Sequence, residues 1–311
     1  MKTAIVGAGG KMGSWIAAFL QRQGHELVLI GRRREPLERL SRSLDRSLLG
    51  GYADVATADL VIVSVPLNVV GEVLQQLGTH LRAGQRVIDL SSVKMEPQRA
   101  AEACLPQACF LGVHPMFGSG ADSWAGHNVI LTPARDDAAA FAARVKDYLE
   151  PYGAHVVVMD PATHDEVMSV VLGLPALVVA VVARTALCSG HFALAREVSG
   201  TSLEVLVSLT ESMLCEGSEL YGTLLSGLPH APTVAAGVEQ SAAHFSALVA
   251  QGDRKGLIRE FSALGRELEL LDHRAENAYA RMYAMLEALK RFPSTGVAGA
   301  TEAGPRPHEA C

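Results

Sequence analysis

The sequence predicts a doubly wound α/β domain built on a parallel sheet, followed by an all-helical domain. In the first half of the 311 residues, short apolar runs alternate with amphipathic runs of helical period. Apolar strands that alternate with helices are typical of a parallel sheet covered on both faces. After residue 160, apolar residues recur at three- and four-residue spacing and strand signals are almost absent, which indicates helices.

Each element of the first domain follows from its local pattern. Short runs rich in Val, Ile and Leu predict strands, and the amphipathic runs between them predict helices. The predicted strands are Thr3–Val6, Glu26–Ile30, Leu60–Val65, Arg86–Leu90, Cys109–Val113, His127–Leu131 and His155–Met159. The predicted helices are Met12–Arg22, Pro36–Asp45, Val69–Leu77, Pro97–Ala103 and about Asp136–Leu149.

The predicted domains are residues 1–160, which form the α/β domain, and residues 161–292, which form the helical domain. Helical periodicity in the second domain covers Leu203–Leu225, Val234–Ala250 and Lys255–Arg291. The tail at 293–311 is rich in small residues and cannot bury enough apolar surface to order itself, so we expect it to be disordered.

One stretch of the helical domain, Val167–Ala183, is almost entirely apolar. Its length is at the short limit for a membrane span, Pro175 interrupts it, and no basic cluster flanks it. We therefore expect a helix that is buried on all sides, in a protein core or a subunit interface, and no membrane contact.

Charge and cysteine content exclude several classes of protein. The net charge is −6, so no basic face is available for nucleic acid. The five cysteines are scattered and form no Cys-x-x-Cys pair, which disfavours a zinc site or a disulfide framework, and no metal is expected. The first residues lack a signal-peptide pattern, and a cytoplasmic location is expected.

A glycine cluster follows the first predicted strand and precedes the first predicted helix. Glycines at such a turn let the backbone approach a pyrophosphate, for which the helix N-terminus supplies N–H groups. The spacing is not the strict fingerprint when counted from the first glycine, but the strand–turn–helix context is the required one. The pattern predicts a Rossmann-type dinucleotide site, with a tight structural turn as the alternative, formed by Gly7, Ala8, Gly9, Gly10, Lys11, Met12 and Gly13.

The end of the second predicted strand bears on the choice between NAD and NADP. An NAD enzyme usually carries Asp or Glu there, for the ribose hydroxyls. This chain carries Gly31 and then Arg32 and Arg33. Guanidinium groups bind a 2′-phosphate through charge-assisted hydrogen bonds, so NADP is favoured over NAD. Arg34 is expected to lie on a solvated helix turn.

Further candidate residues lie at the ends of later strands, where ligands bind in sheets of this type. Ser64, Val65 and Pro66 end one strand and are expected beside the nicotinamide, although Pro66 also fits a plain strand terminator. Ser92 and Lys94 follow the next strand, and His114 ends the one after it in a rigid His-Pro turn. An imidazole there can take a proton from a substrate hydroxyl while hydride leaves the same carbon. Ser92 is expected to orient that imidazole or the hydroxyl, and Lys94 to bind an anionic substrate or pair with an acidic neighbour.

With these residues in place, the chain resembles the prephenate and arogenate dehydrogenases, the oxidoreductases of tyrosine biosynthesis. The resemblance follows the chain in order through GAGGKMG at 7–13, VIVSVP at 61–66, DLSSVK at 89–94, GVHPMFG at 112–118, THDEVM at 163–168 and SELYGTLL at 218–225. It implies an NAD(P)-binding domain, a helical domain that forms a homodimer, and a small-molecule substrate.

The resemblance also implies a mechanism and roles for single residues. His114 would be the base for a hydroxyl on ring C4, hydride would leave C4 for the nicotinamide, and loss of the ring carboxylate would aromatise the product. Ser92 would support the base and the hydroxyl. His164 would lie in the substrate site, and Asp165 would either share its role or cap a helix.

Two departures from the family pattern concern the substrate. Relatives tend to carry a histidine on the long helix at the position of Ala176, and arginines on a later helix that grip carboxylates. The matching region here, Thr201–Tyr221, contains no Lys or Arg and carries Glu204, Glu211, Glu216 and Glu219. An unpaired buried carboxylate is strongly unfavourable. Either the missing cations are replaced, with Lys94, Arg184, Arg196 and Arg274 as candidates, or the substrate is less acidic.

Three functions are therefore compatible with the sequence. The first is an NADP-dependent dehydrogenase of the tyrosine pathway that acts on prephenate or arogenate. The second is a paralogue with the same fold and cofactor that acts on another small substrate, such as an amine-bearing one in secondary metabolism. The third is a non-catalytic NADP-sensing module, which the presence of His114 and Ser92 disfavours.

Overall fold

The computed structural model describes residues 1–291, so the predicted tail lies outside the described residues. Contacts divide the chain into two units, one of residues 1–173 and 219–231 and the other of residues 174–218 and 232–291. The predicted boundary at residue 160 remains a prediction.

The first unit contains an eight-stranded sheet of order β3-β2-β1-β4-β5-β6-β7-β8. All neighbouring strands are parallel except β6 and β7, which are antiparallel. The strands are β1 Lys2–Val6, β2 Glu26–Ile30, β3 Ser47–Leu49, β4 Leu60–Val63, β5 Arg86–Asp89, β6 Cys109–Pro115, β7 Asn128–Thr132 and β8 His155–Val158. The predicted doubly wound sheet is confirmed, and β3 is an addition that the sequence pattern did not reveal.

Helices cover both faces of this sheet because successive strand residues point to opposite sides. Ile5 belongs to the apolar cluster of one face and its neighbours Ala4 and Val6 to that of the other. The first cluster includes residues of α1 (Lys11–Arg22), α2 (Arg34–Arg42) and α5 (Asp136–Leu149). The second includes residues of α3 (Leu67–Gly78) and α4 (Met95–Cys104). Two short 3-10 turns, at Tyr52–Thr57 and Glu150–Tyr152, complete these connections.

A continuous apolar helical segment follows the sheet, made of α6 (Pro161–Met168), a π-helical turn at Ser169–Gly173, and α7 (Leu174–Cys188). Among the described helices, this segment alone is long and apolar enough to cross a membrane by length and composition. Only 28% of its most apolar window is buried. The expected burial on every side is therefore not met within one chain, because Val170 and Val181 are 54% and 50% exposed.

Two of the three predicted helical runs are divided, whereas the run Val234–Ala250 lies within one helix. The predicted helix Leu203–Leu225 is two helices, α9 (Thr201–Cys215) and α10 (Ser218–Gly227), because Gly217 lies between them with a φ of +108°. The run Lys255–Arg291 is also divided. Asp272 has an extended backbone and caps a 3-10 turn, His273–Asn277, between two helices. The helices of this region are α8 Phe192–Glu197, α11 Ala231–Ala250, α12 Arg254–Leu271 and α13 Ala278–Leu289.

Candidate active site

The turn between β1 and α1 requires glycine at two positions. Gly7 has a φ of +89°, and a Cβ there would lie 2.1 Å from the carbonyl oxygen of Ser64. A Cβ on Gly13 would lie 2.3 Å from the carbonyl oxygen of Gly7. The first glycine allows β1 to approach the end of β4, and the second allows α1 to approach the turn.

The N-terminus of α1 is open to an anion. Its N-cap residue, Gly10, has no side chain to accept a hydrogen bond, and the first turn of α1 carries no acidic residue. The free N–H groups and the positive end of the helix dipole favour a bound phosphate. Together with the space kept by Gly7 and Gly13, this arrangement fits the pyrophosphate of a dinucleotide.

A cavity of about 640 Å³ lies beside this turn. Eight of the twelve residues predicted to bind cofactor line it, namely Gly7, Gly9, Gly10, Arg32, Arg33, Ser64, Val65 and Pro66. The other four do not line it. Ala8 and Gly13 are buried, Met12 packs against the core, and Lys11 is exposed at the start of α1. The cavity is called the nucleotide crevice below.

Eight further residues of the crevice were not predicted to bind cofactor: Val6, Gly31, Leu37, Tyr52, Val69, Glu72, Val73 and Gln76. Tyr52 follows the short strand β3, which the pattern did not reveal, so no sequence signal placed it here. Burial raises the pKa of the Tyr52 phenol, and the charge of Arg32 opposes that rise. Arg32 and Tyr52 both line the crevice.

The arginines after β2 differ in what they contact. Arg34 pairs with Glu38 at 2.7 Å on the exposed face of α2, as expected for a solvated helix residue. Arg32 and Arg33 are exposed, line the crevice, and form no ion pair with a described residue. Both guanidinium groups therefore remain available to a ligand.

The register of the sheet brings three predicted strand ends to one edge. Val63 of β4 pairs with Asp89 of β5, which in turn pairs with Gly112 of β6. Ser64–Pro66 follow β4 directly, Ser91 and Ser92 follow β5, and His114 lies two residues beyond Gly112. This is the edge at which ligands bind in parallel sheets.

A hydrogen-bonded chain of buried side chains ends at His114. His114 Nδ1 lies 2.9 Å from His164 Nε2, and His164 Nδ1 lies 2.7 Å from Asp165 Oδ1. The two histidines are 5% and 0% exposed, respectively. Asp165 also accepts the backbone N–H groups of Lys94 at 2.7 Å and Met95 at 2.8 Å, at the N-terminus of α4. The predicted capping role of Asp165 is thus found, but on a helix 70 residues away in sequence.

The chemistry of these contacts determines the tautomers. Because Asp165 accepts two backbone N–H groups, it is an acceptor toward His164 as well, so His164 Nδ1 carries the proton. His164 Nε2 is then an acceptor, and His114 Nδ1 must donate to it. A neutral His114 therefore has its free lone pair on Nε2. Such an imidazole is ready to act as a base.

The pKa of His114 lies well below its usual value of 6.5, chiefly because of burial and further because of the charges of Lys94 and His164. The base is therefore neutral at physiological pH. We expect kcat/KM to stay constant as pH falls through 6.5 and to decline only below it, since this parameter reports the free enzyme. A pH–rate profile checks this, and an acid limb with an apparent pKa of 6.5 or more would contradict it. Because the unfolded chain binds this proton more tightly, the folded state also loses stability as pH falls below about 6.5.

Lys94 lies inside the protein and is 1% exposed. Its Nζ donates to Asp89 Oδ2 at 2.7 Å, to the Asp89 carbonyl at 3.0 Å and to the Val113 carbonyl at 3.2 Å. A Cβ on Gly112 would lie 2.8 Å from the Lys94 side chain and 2.2 Å from Thr132 Oγ1, so glycine makes room for the lysine. All three protons of the ammonium group are used within the protein. The predicted contact of Lys94 with a substrate would require these bonds to break.

Ser92 and His164 differ in their availability to a ligand. Ser92 is half-buried, and its hydroxyl forms no hydrogen bond with a described residue. The neighbouring Ser91 instead donates to the Asp89 carboxylate at 2.5 Å. His164 is fully buried and both of its nitrogens are engaged. The geometry places His164 behind His114, although the sequence suggested a place in the substrate site.

The candidate replacement cations are also engaged. Arg196 pairs with Glu204 at 2.8 Å, and Arg274 pairs with Asp272 at 2.8 Å. Ala176, at the position where relatives carry a histidine, is buried. Lys94, Arg196 and Arg274 therefore each have an acidic partner inside the chain.

The chain is similar in sequence to several known proteins. Residues 16–158 match the family model "Prephenate dehydrogenase, nucleotide-binding domain". A "probable arogenate/prephenate dehydrogenase" of Methanocaldococcus jannaschii is 25% identical over 82% of this chain and 58% of its own length. The "T-protein" of Haemophilus influenzae is 32% identical over 56% of this chain and 42% of its own. The chain thus spans about half the length of these curated relatives.

A solved structure has the same fold over nearly its whole length. It is the prephenate dehydrogenase of A. aeolicus in complex with hydroxyphenyl propionate and NAD+, with a TM-score of 0.69 and 22% identity over 88% of this chain and 98% of the solved one. The matched range begins within α1, after the glycine turn, and includes β2, β4, β5 and His114 of β6. Over a little under half of its length, at residues 16–158, the chain is thus similar to the nucleotide-binding domain of the prephenate dehydrogenase family.

Proposed function

We propose that the protein is an NADP-dependent dehydrogenase that oxidises and decarboxylates a cyclohexadienyl acid such as prephenate or arogenate. The observation that carries this proposal is the pair of hydrogen bonds that links Asp165 to His164 and His164 to His114. These bonds leave Nε2 of His114 as the unprotonated nitrogen. This base lies at the strand edge that also bears the nucleotide crevice.

Different residues bind the cofactor, accept the substrate proton and stabilise the resulting charge. The glycine turn and the N-terminus of α1 hold the pyrophosphate, and the bound nicotinamide supplies the hydride acceptor. His114 Nε2 accepts the proton of the substrate hydroxyl, while Ser92 donates to or accepts from the same group. As His114 becomes positive, Asp165 stabilises that charge through His164. The hydrogen bond from His114 Nδ1 to His164 also positions the His114 ring.

NADP preference rests on the two free arginines at the crevice. We expect the double variant Arg32→Ala with Arg33→Ala to weaken NADP binding roughly a hundredfold or more, at about 1.5–3 kcal/mol for each charge-assisted hydrogen bond that the substitutions remove. NAD binding should change little, because NAD lacks the 2′-phosphate. Titration calorimetry with both dinucleotides measures the two effects.

The control for this experiment is Arg34→Ala, which removes an arginine that pairs with Glu38. It should leave both affinities unchanged. If the double variant lost NAD and NADP affinity equally, the arginines would not recognise the phosphate.

The substrate is tested by following NADP+ reduction at the nicotinamide absorbance. Prephenate, arogenate and 4-amino-4-deoxyprephenate are supplied in turn. Turnover of prephenate or arogenate supports the proposal. If all three are inert while NADP binds, the proposed substrate class is wrong.

A second candidate is a paralogue that acts on a less acidic or amine-bearing substrate. Its support is that Lys94, Arg196 and Arg274 are each paired with a carboxylate of the same chain. A dianion such as prephenate needs cations that these groups do not offer, whereas a less acidic or amine-bearing substrate needs fewer of them. Turnover of the amino compound alone in the assay above would favour this candidate.

We further propose that the helical unit forms a homodimer. Large apolar side chains are exposed along α12 and α13, including Phe261, Leu268, Leu271 and Tyr279. Exposed apolar patches of this extent usually mark an interface. Sedimentation equilibrium should give twice the chain mass of 32.9 kDa. A concentration-independent monomer mass would contradict the proposal.

A further inference from the structure

A second cavity, of about 240 Å³, lies on the sheet face covered by α1 and α5. It shares no lining residue with the nucleotide crevice. Leu60, Ile62 and Ile88 of β4 and β5 line it from the sheet, Phe19 from α1, and Phe141 from α5. The lining is almost entirely apolar, so the interior suits a hydrophobic group.

Two arginines stand where this cavity meets solvent. Arg86 and Arg144 line it and are themselves exposed. Their guanidinium carbons lie 5.7 Å and 5.8 Å from the centre of the Phe141 ring. Neither forms an ion pair with a described carboxylate. The guanidinium groups of Arg86 and Arg144 can therefore bind an anionic group of a ligand at the entrance of the apolar cavity.

A buried polar group without a partner lies in the same wall. Trp124 lines the cavity and is 4% exposed, and its Nε1–H has no acceptor among the described residues. Buried N–H groups in folded proteins are nearly always hydrogen-bonded, because an unmade bond is costly. The wall therefore has an unused donor as well as two unused cations.

We propose that this cavity binds a small monocarboxylic acid with an apolar body, and that Arg86 and Arg144 hold its carboxylate. A cavity of about 150 Å³ accommodates benzene, so the present volume has room for one aromatic ring with a short chain. The site is separate from the crevice and from His114, and it does not depend on the proposed reaction.

The probe for this site is 3-phenylpropionate, with the uncharged 3-phenylpropan-1-ol as the matched control ligand. The chain contains two tryptophans. One of them, Trp124, lines the cavity, and the other, Trp15, contacts it edge-on at 5.0 Å. Intrinsic tryptophan fluorescence therefore reports binding here. The titration is made with NADP+ at saturation, so that the crevice is filled.

We expect saturable quenching by 3-phenylpropionate and at least tenfold weaker binding of the alcohol, because the alcohol cannot form charge-assisted hydrogen bonds with the arginines. The double variant Arg86→Gln with Arg144→Gln should lose the same factor for the acid and none for the alcohol. Arg99→Gln, an exposed arginine of α4 outside the cavity, is the control and should bind like the parent protein.

Two results would overturn the proposal. One is quenching of equal affinity in the Arg86→Gln/Arg144→Gln variant, which would place the probe elsewhere. The other is unchanged binding in Val145→Phe, which fills the cavity with a larger side chain. Circular dichroism and NADP titration of each variant establish that its fold and its crevice are intact. If the protein binds NADP and the probe but turns over none of the tested substrates, the cavity proposal stands while the proposed dehydrogenase function fails.

Discussion

Replacing His114 with asparagine should lower turnover by about two to four orders of magnitude, the range for a lost general base. Asparagine retains a polar side chain of similar reach but has no nitrogen that can take up a proton near neutral pH. NADP affinity should stay unchanged, because His114 does not line the nucleotide crevice. Steady-state turnover and dinucleotide titration measure the two quantities.

The control is His80→Asn, which changes an exposed histidine at the end of α3. It should leave both quantities unchanged. Normal turnover in His114→Asn would show that another group removes the substrate proton. Equal losses of turnover and NADP affinity would show that the substitution disturbs the fold of the strand edge instead.

Replacing Asp165 with asparagine should lower kcat by roughly a hundredfold or more, although Asp165 need not touch a substrate. The amide carries an NH₂ group where the carboxylate has an oxygen. If that group faces His164, the histidine tautomer reverses and His114 Nε2 becomes protonated; a wrong tautomer costs about 10⁴ in the Ser-His-Asp triad. If it faces α4, a backbone N–H of Lys94 or Met95 loses its acceptor, which should lower the free energy of unfolding by about 1–3 kcal/mol.

The matched control is Asp160→Asn. The Asp160 side chain caps α6 by accepting the N–H groups of Ala162 and Thr163; it is exposed and forms no hydrogen bond with the side chain of either histidine. Because asparagine caps a helix about as well as aspartate, this variant should change the free energy of unfolding little and leave kcat unchanged. Urea unfolding gives the stability of both variants. The pH profile of kcat/KM should change only in Asp165→Asn. An unchanged profile with normal turnover would show that Asp165 only caps α4 and has no role in the reaction.

Much of the sheet was predictable because each central strand is an apolar run bounded by turn residues. Leu60–Val63 and Arg86–Asp89 begin where the pattern predicts and end one or two residues earlier. Strand β3 was not predicted because it has only three residues, of which Leu48 and Leu49 are exposed at the sheet edge. Periodicity also joined α9 to α10, since the break depends on a single glycine conformation.

Some features of the candidate site could likewise be predicted from the sequence, and others could not. The glycine turn, the two free arginines and the position of His114 are local features, because each follows a strand whose end the sequence reveals. Lys94 was expected either to bind an anionic substrate or to pair with an acidic neighbour, and it pairs with Asp89. His164 was expected in the substrate site, and both of its nitrogens are engaged within the protein.

The sequence by itself determined the alternation of strands and helices in the first domain, the glycine turn of a dinucleotide site and a histidine at the carboxyl edge of the sheet. These follow from side-chain periodicity and backbone freedom within a few residues. Only the tertiary structure decided that Asp165 caps α4, that His164 stands behind His114, and that Lys94 is buried against Asp89. Those contacts join residues up to 71 positions apart, and their partners are chosen by packing and by the need of buried polar groups for hydrogen bonds, which no local pattern records.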